Sequence, residues 1–287
     1  MSTTSAPETT VGDARRVTRF LVPLDGTEAS TDALPVAAAL AVRMGVAVEV
    51  IDCVPPLLHW LDEGVWVDQE LQAAGLALGG AAPVRSSVDV VDAIVADAAR
   101  VPGTVICMAS HGRNAVGELV FGSVTHDVIV ASPAPVVVVG PRCKVPSTFE
   151  RIQVCVDGSH ASEPVVDVAI DWGRRLQVVP WLTQVVEPAP PADGLGGPGP
   201  DVVEGSGLGR LARRGRAADV DVEWDVLHGR APGPALLAWT TQHDPALVVA
   251  GSHGRTSVQR LRLGSVTGWL IHELPCPLLV VGPSVTP

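Results

Sequence analysis

The sequence predicts an α/β protein built as two tandem, doubly wound domains, each around a five-stranded parallel sheet. Two observations lead to this fold class. Short apolar segments alternate with segments of helical periodicity, a pattern typical of a parallel sheet covered by helices on both faces. The same order of segments then occurs twice, and 287 residues are enough for two cores.

The repeat keeps its register on both sides of one insertion. Asp25-Gly26-Thr27 returns as Asp157-Gly158-Ser159, whereas Gly122-Ser123 returns at a larger offset as Gly264-Ser265. The second copy has therefore gained residues between these two motifs, and such a repeat is hard to obtain by chance. We assign the gain to the proline- and glycine-rich stretch Glu187–Gly209 and predict a surface loop there.

Each copy carries the same elements in the same order. Strand 1 ends at Asp25 or Asp157 and is followed by a helix, and strand 2 covers 48–54 or 178–186. The remaining elements are a helix (66–78; 201–216), a strand (83–87; 221–227), a helix (89–100; 232–242), a strand (104–109; 246–250), a helix (122–131; 264–273) and a strand (135–139; 277–281). We expect a disordered tail over 1–16, domains over 17–143 and 150–287, and a linker over 144–149.

The composition argues against several classes of partner and binding site. A net charge of −11 argues against a general nucleic-acid partner, which would require a basic surface. The N-terminal residues lack the apolar core of a signal peptide and no apolar run is long enough to cross a bilayer, so we expect a cytoplasmic protein without a membrane partner. The five cysteines are scattered without ligand spacing, which predicts neither disulfides nor a metal site.

A glycine turn between a buried strand and a helix is the candidate site of the second copy. Gly251-Ser252-His253-Gly254 follows an apolar strand, and Gly264-Ser265-Val266 opens the next helix. The amides and dipole of a helix start favour an anion such as phosphate. Since ligands of doubly wound sheets lie where the winding reverses, Asp157 would accept hydrogen bonds from ribose hydroxyls while the amides of Gly254, Ser265 and Val266 bind phosphate oxygens. The first copy places Asp25, Ala109, His111, Gly112, Gly122, Ser123 and Val124 in the same positions.

These residues resemble the universal stress proteins in their tandem-domain form. The resemblance rests on the family's G-x2-G-x9-G-[ST] nucleotide-binding signature, matched fully by Gly251, Gly254, Gly264 and Ser265, and on the aspartate after strand 1. The first copy departs from the signature at Ala109, where a methyl group would weaken binding.

The resemblance implies an adenine-nucleotide alpha-hydrolase-like fold with strand order 3-2-1-4-5 and ATP in each crevice. Backbone groups near Cys53 and Val185 would then recognise adenine. The last strands, near residues 135–140 and 277–282, would pair and join the halves as an intramolecular pseudo-dimer. Whether two chains form a homodimer is left open.

Several alternatives compete with this interpretation. A P-loop would need a lysine in its glycine motif, yet the only lysine, Lys144, lies in the linker. His111 and His253 have no carboxylate partner in sequence, so a turn-stabilising role is favoured and no catalytic residue is predicted. Asp25 and Asp157 could instead cap the following helix.

Three functions stay open. The preferred one is an ATP-binding regulatory or stress-response module. The second is a weak ATPase in which Mg²⁺ or Mn²⁺ bridges the phosphates. The third is a nucleotide-free dimerisation module whose glycines only permit tight turns.

Overall fold

A computed structural model of the chain describes residues 16–53, 90–110, 122–187, 200–253 and 263–282. The described strands lie close to their predicted positions, because apolar β-branched runs bounded by glycine, proline or aspartate determine both their length and their ends. The predicted helix 66–78 and strand 83–87 lie outside the described residues. The described strands are β1 (Arg19–Leu24), β2 (Ala47–Asp52), β3 (Thr104–Ala109), β4 (Val136–Val139), β5 (Arg151–Val156), β6 (Val179–Val186), β7 (Glu223–His228), β8 (Leu247–Gly251) and β9 (Leu278–Val281).

The helices follow the strands as the periodicity predicts. Short turns, Glu28–Thr31 and His160–Ser162, precede the first helix of each half. Among the described helices, none has the length and hydropathy needed to cross a bilayer. The helices are α1 (Ala33–Met44), α2 (Val90–Arg100), α3 (Ser123–Ala131), α4 (Glu163–Leu176), α5 (Pro200–Ala217), α6 (Pro232–His243) and α7 (Ser265–Glu273).

The predicted loop Glu187–Gly209 and the predicted helix 201–216 overlap, and the structure agrees with the helix, because α5 spans Pro200–Ala217. Gly205 and Gly209 lie one helical turn apart on the side of α5 that faces Trp224 of β7. A Cβ added at Gly205 would lie 3.1 Å from the indole ring, and one at Gly209 3.9 Å from it. The glycines that suggested a loop therefore let the helix pack closely against the sheet.

All nine described strands form one sheet in the order β2-β1-β3-β4-β9-β8-β5-β6-β7. The second half has the predicted order 3-2-1-4-5, and the four described strands of the first half follow the same order. Neighbouring strands are parallel within each half and antiparallel only between β4 and β9. Val137 pairs with Leu279, its own repeat partner, so a pseudo-twofold axis passes through this pair. The last strands therefore join the halves as predicted.

The hydrophobic core is divided by the faces of the sheet rather than by the halves of the chain. Phe20 belongs to a core cluster that also contains Ile152, while the adjacent Leu21 belongs to a second cluster that contains Val248. Each cluster thus includes residues from both halves. Across the junction, the ring of Phe20 meets that of Trp172 edge to face at 6.2 Å. The two core clusters correspond to the two faces of the sheet and not to the two predicted domains, because β4 and β9 make the sheet continuous across both halves.

Candidate functional site

The winding of the second half reverses between β5 and β8. The chain proceeds from β5 to β6 and β7 on one side, then returns to place β8 on the other side of β5. Because β5 and β8 are parallel, their carboxyl ends meet at one edge of the sheet. Asp157 follows β5 there, and Gly251 ends β8. Asp157 and Gly251 therefore border the same crevice.

Asp157 shapes the loop that follows β5. Its Oδ1 accepts hydrogen bonds from the Ser159 amide at 3.0 Å and from the Ser159 hydroxyl at 2.6 Å. The intervening Gly158 has φ 76°, a left-handed conformation that favours glycine. Ser159 is the N-cap of the helical turn. In the helix-cap alternative, Asp157 itself would be the N-cap. In the structure it lies two residues before the N-cap and accepts hydrogen bonds from that residue.

The first half repeats this loop. Asp25 Oδ1 accepts from the Thr27 amide at 3.0 Å and from the Thr27 hydroxyl at 2.6 Å, and Gly26 has φ 78°. Thr27 is the N-cap, and its side chain accepts from the amide of Ser30. The aspartate turn is therefore the same in both halves, whereas the side chain of Ser159, unlike that of Thr27, makes no cap hydrogen bond.

Two hydrogen bonds hold the start of α7 against the end of β8, and a third joins the end of β8 to β9. The Gly264 amide donates to the Ser252 carbonyl at 2.7 Å, and the Ser252 amide donates to the Val281 carbonyl at 2.9 Å. The Thr267 hydroxyl donates to the Gly251 carbonyl at 2.8 Å. These bonds place the first turn of α7 directly beside the strand end.

The first turn of α7 presents main-chain amides at this edge. Gly264 is the N-cap, and the first helical bond runs from the Gly268 amide to the Gly264 carbonyl at 2.9 Å. The amides of Ser265 and Val266 precede that bond, so they belong to the N–H groups that a helix cannot satisfy itself. Together with the helix dipole they favour an anion.

The corresponding residues of the first half form the same arrangement at the start of α3. The Gly122 amide donates to the Ser110 carbonyl at 3.0 Å, and the Thr125 hydroxyl donates to the Ala109 carbonyl at 3.0 Å. Ser123 and Val124 therefore lie where Ser265 and Val266 lie in the second half. Three predicted site residues, His111, Gly112 and Gly254, lie outside the described residues.

The departure at Ala109 is matched by a second difference in the helix beside it. A Cβ added at Gly251 would lie 3.4 Å from Cγ2 of Val165 and 3.2 Å from the His253 carbonyl. The repeat partner of Val165 in the first half is Ala33, which is fully buried. The first half thus has Ala109 at the strand end and Ala33 in the helix, whereas the second half has Gly251 and Val165 at these positions. The smaller helix residue leaves room for the Ala109 methyl group.

The predicted adenine-recognition positions lie at or beside the ends of the second strands. Cys53 directly follows β2, is 4% exposed, and its amide donates to the Leu24 carbonyl at 2.7 Å. Val185 lies inside β6, pairs with Leu227 and is partly exposed.

The sequence analysis missed two pairs of residues that hold the turn. Ser110 and Ser252 are buried beyond the strand ends, and Thr125 and Thr267 bond the strand-end carbonyls. Both pairs are identical residues at the offset that relates Gly122 to Gly264, which was the available signal. Ser252 Oγ also lies 2.8 Å from His253 Nδ1, consistent with a turn-stabilising role for that histidine.

No group of three or more histidine, cysteine or acidic side chains is placed to hold a metal within the described parts of the chain. Burial, reinforced by Asp32, raises the pKa of the Cys143 thiol to about 12, and burial raises the pKa of the Cys155 thiol to about 12. These thiols are therefore neutral and poorly nucleophilic near pH 7.

The chain is a tandem α/β protein of two doubly wound halves that are joined through their last strands. In each half a helix begins at the point where the winding reverses. The sequence model of the Universal stress protein family matches residues 16–140 and 148–282. The chain belongs to that family.

Individual relatives show the same similarity. A universal stress protein of Mycolicibacterium smegmatis is 29% identical over 189 residues, covering 62% of this chain and 61% of the relative, so the aligned part spans about three fifths of that protein. One from Methanocaldococcus jannaschii is 26% identical over 140 residues, covering 46% and 82%. The crystal structure of a universal stress protein from Archaeoglobus fulgidus superposes with a TM-score of 0.67 at 21% identity, covering 93% of this chain and 98% of that one. At this identity the superposition establishes the fold alone.

Proposed function

We propose that the crevice of the second half binds ATP and that its occupancy makes the protein a nucleotide-dependent regulatory or stress-response module. The observation that carries the proposal is the bond from the Gly264 amide to the Ser252 carbonyl. It fixes the first turn of α7 at the end of β8, beside the strand that Asp157 follows, which supports assigning phosphate donors and a ribose acceptor to the same winding reversal. The full match to the family's nucleotide-binding signature supports the same conclusion.

Each group has a defined role in this proposal. The amides of Ser265 and Val266, with the Ser265 hydroxyl, would bind phosphate oxygens. Asp157 would accept from the ribose, and the main chain near Val185 would contact adenine. Bound ATP brings negative charge to a protein that already carries −11, so the donors must come from amides and the helix dipole rather than from lysine. Asp25, Ala109, Gly122, Ser123 and Val124 would do the same in the first half.

The two alternatives receive less support. A weak ATPase would need Mg²⁺ or Mn²⁺ together with a group that activates water. A nucleotide-free dimerisation module would need its edge strands for a partner chain. Here β4 and β9 already pair with one another inside the chain, so these two strands need no second chain as a partner.

Mass spectrometry of the molecules released when the purified protein is denatured tests the proposal. We expect an adenine nucleotide from the wild type and less of it from the double variant Gly264→Ala, Ser265→Ala, which loses the second-half site and keeps only what the first half binds. The unfolding midpoint of the variant should fall only slightly, because a Cβ added at Gly264 lies 3.3 Å from the Ser252 carbonyl. A wild-type protein that carries no nucleotide and binds no added ATP would support the nucleotide-free alternative. Phosphate release faster than from the double variant would support the ATPase.

The pairing of Gly251 with Val165 gives a second prediction. Gly251→Ala should weaken ATP binding in the second half by about three- to tenfold, because the methyl group overpacks against Val165 and the His253 carbonyl, at a cost of roughly 1 kcal/mol. Adding Val165→Ala recreates the combination of Ala109 with Ala33 and should recover most of the affinity. Calorimetric titration with ATP measures both variants. Equal affinity in the wild type and the single variant would show that this contact does not shape the site.

A further inference from the structure

A hydrogen bond crosses from the first half of the chain to the phosphate turn of the second. The Leu263 amide donates to Nε2 of His126 at 3.5 Å. His126 lies in α3 of the first half, and Leu263 directly precedes the N-cap Gly264 of α7. The first half therefore contacts the main chain immediately before the amides that would bind phosphate.

The neighbouring aspartate holds the imidazole in the tautomer that this bond requires. His126 Nδ1 lies 2.9 Å from Asp127 Oδ1. An ionised carboxylate can only accept a hydrogen bond, so Nδ1 carries the ring proton. In the neutral ring Nε2 is then the acceptor, as the donation from Leu263 demands. The two contacts are consistent with one another and form a chain from Asp127 through His126 to Leu263.

The arrangement is not repeated in the opposite direction. The repeat partners of His126 and Asp127 in the second half are Gly268 and Trp269. Gly268 has no side chain to accept a hydrogen bond. Trp269 instead packs over Gly233 of α6, where an added Cβ would lie 2.5 Å from its ring. His126 of the first half thus contacts the second half, whereas its repeat partner Gly268 cannot make the same contact in return.

The first half also holds the other end of α7. The Lys144 amide donates to the Pro275 carbonyl at 2.8 Å, and Arg142 forms an ion pair with Glu273. Gly140 packs directly against the Ile271 carbonyl, where a Cβ would not fit. These contacts hold the carboxyl-terminal end of α7, while the bonds to Ser252 and Gly251 hold its first turn, directly after the Leu263 amide that His126 contacts.

We propose that His126 is a positioning residue for the phosphate turn of the second half, so that the nucleotide affinity of one half depends on a side chain from the other. This inference rests on the proposed ATP site. The acceptor at Nε2 fixes the Leu263 amide and with it the direction in which the Ser265 and Val266 amides point.

Nuclear magnetic resonance of the full chain tests the inference with two readouts. The first is the hydrogen-exchange rate of the Leu263 amide without nucleotide, and the second is the ATP dissociation constant from the shift of the Ser265 amide. In His126→Ala we expect faster exchange and about tenfold weaker ATP binding, the effect of one lost hydrogen bond. His126→Gln, whose amide oxygen can accept, should restore both values toward wild type. Arg174→Ala, which removes an exposed ion pair distant in sequence from the turn, is the control and should change neither.

The outcomes separate this inference from the proposed function. A wild-type chain that does not bind ATP overturns the proposed site, while the exchange rate still decides whether His126 fixes the Leu263 amide. If ATP binds the wild type and His126→Ala equally, the positioning role is wrong even when exchange is faster. If His126→Gln behaves as His126→Ala does, the acceptor role of Nε2 is wrong.

Discussion

Replacing Arg19 by methionine should lower the free energy of unfolding by about 2–3 kcal/mol, because the mostly buried Asp97 then loses one of its two cations, Arg19 and Arg100, and Glu49 loses its ion pair with Arg19. Arg19 is 3% exposed at the start of β1. It pairs with Glu49 and, at 2.9 Å, with Asp97, and its Nε donates to the Thr104 hydroxyl at 3.0 Å. Urea unfolding followed by circular dichroism measures the loss.

The second half supplies a matched control, because the same position there has different partners. Arg151 is the repeat partner of Arg19, and the partners of Glu49 and Asp97 are Trp181 and Trp239. Arg151 lies over the Trp181 ring at 5.5 Å and is partly exposed. Arg151→Met therefore leaves no buried carboxylate without a cation, and it should lower the free energy of unfolding by at most about 1 kcal/mol. Equal losses from the two variants would contradict the assigned role of the buried ion cluster.

Asp157→Asn should weaken ATP binding in the second half by about 10- to 100-fold, because the carboxylate oxygen that would accept from the ribose becomes an amide nitrogen, which cannot accept a hydrogen bond. The asparagine oxygen can still accept from the amide and hydroxyl of Ser159, so the loop and the unfolding midpoint should be retained. Calorimetric titration with ATP measures the change.

Asp25→Asn is the matched control for this variant. It makes the same change in the same turn of the first half and should leave ATP binding in the second half unaltered. If Asp157→Asn binds ATP as the wild type does, the carboxylate does not contact the nucleotide and only shapes the loop.

The repeat explains why so much of the fold could be predicted. Each turn that holds a strand end to a helix, such as Gly122 with Ser110 or Gly264 with Ser252, depends on local residues that recur at a fixed offset. Local periodicity and turn chemistry then determine the strands, and the family resemblance supplied their order.

The features that were not predicted depend on contacts between residues far apart in sequence. The close packing of α5 against β7 is one case, because Gly205 and Gly209 lower helix propensity and their approach to Trp224 is a contact between residues distant in sequence. The bond between His126 and Leu263 is another, since it joins residues of different repeats. The extension of each core over both halves likewise follows from the pairing of β4 with β9, which no single segment reveals.

A crystal structure of the full chain with a non-hydrolysable ATP analogue is the most direct test of the central claim that main-chain amides at the winding reversal bind the phosphates. We predict phosphate oxygens within about 3 Å of the Ser265 and Val266 amides, with the ribose hydroxyls at Asp157. An analogue bound away from the first turn of α7, or a second-half crevice left empty at saturating concentration, would contradict the claim.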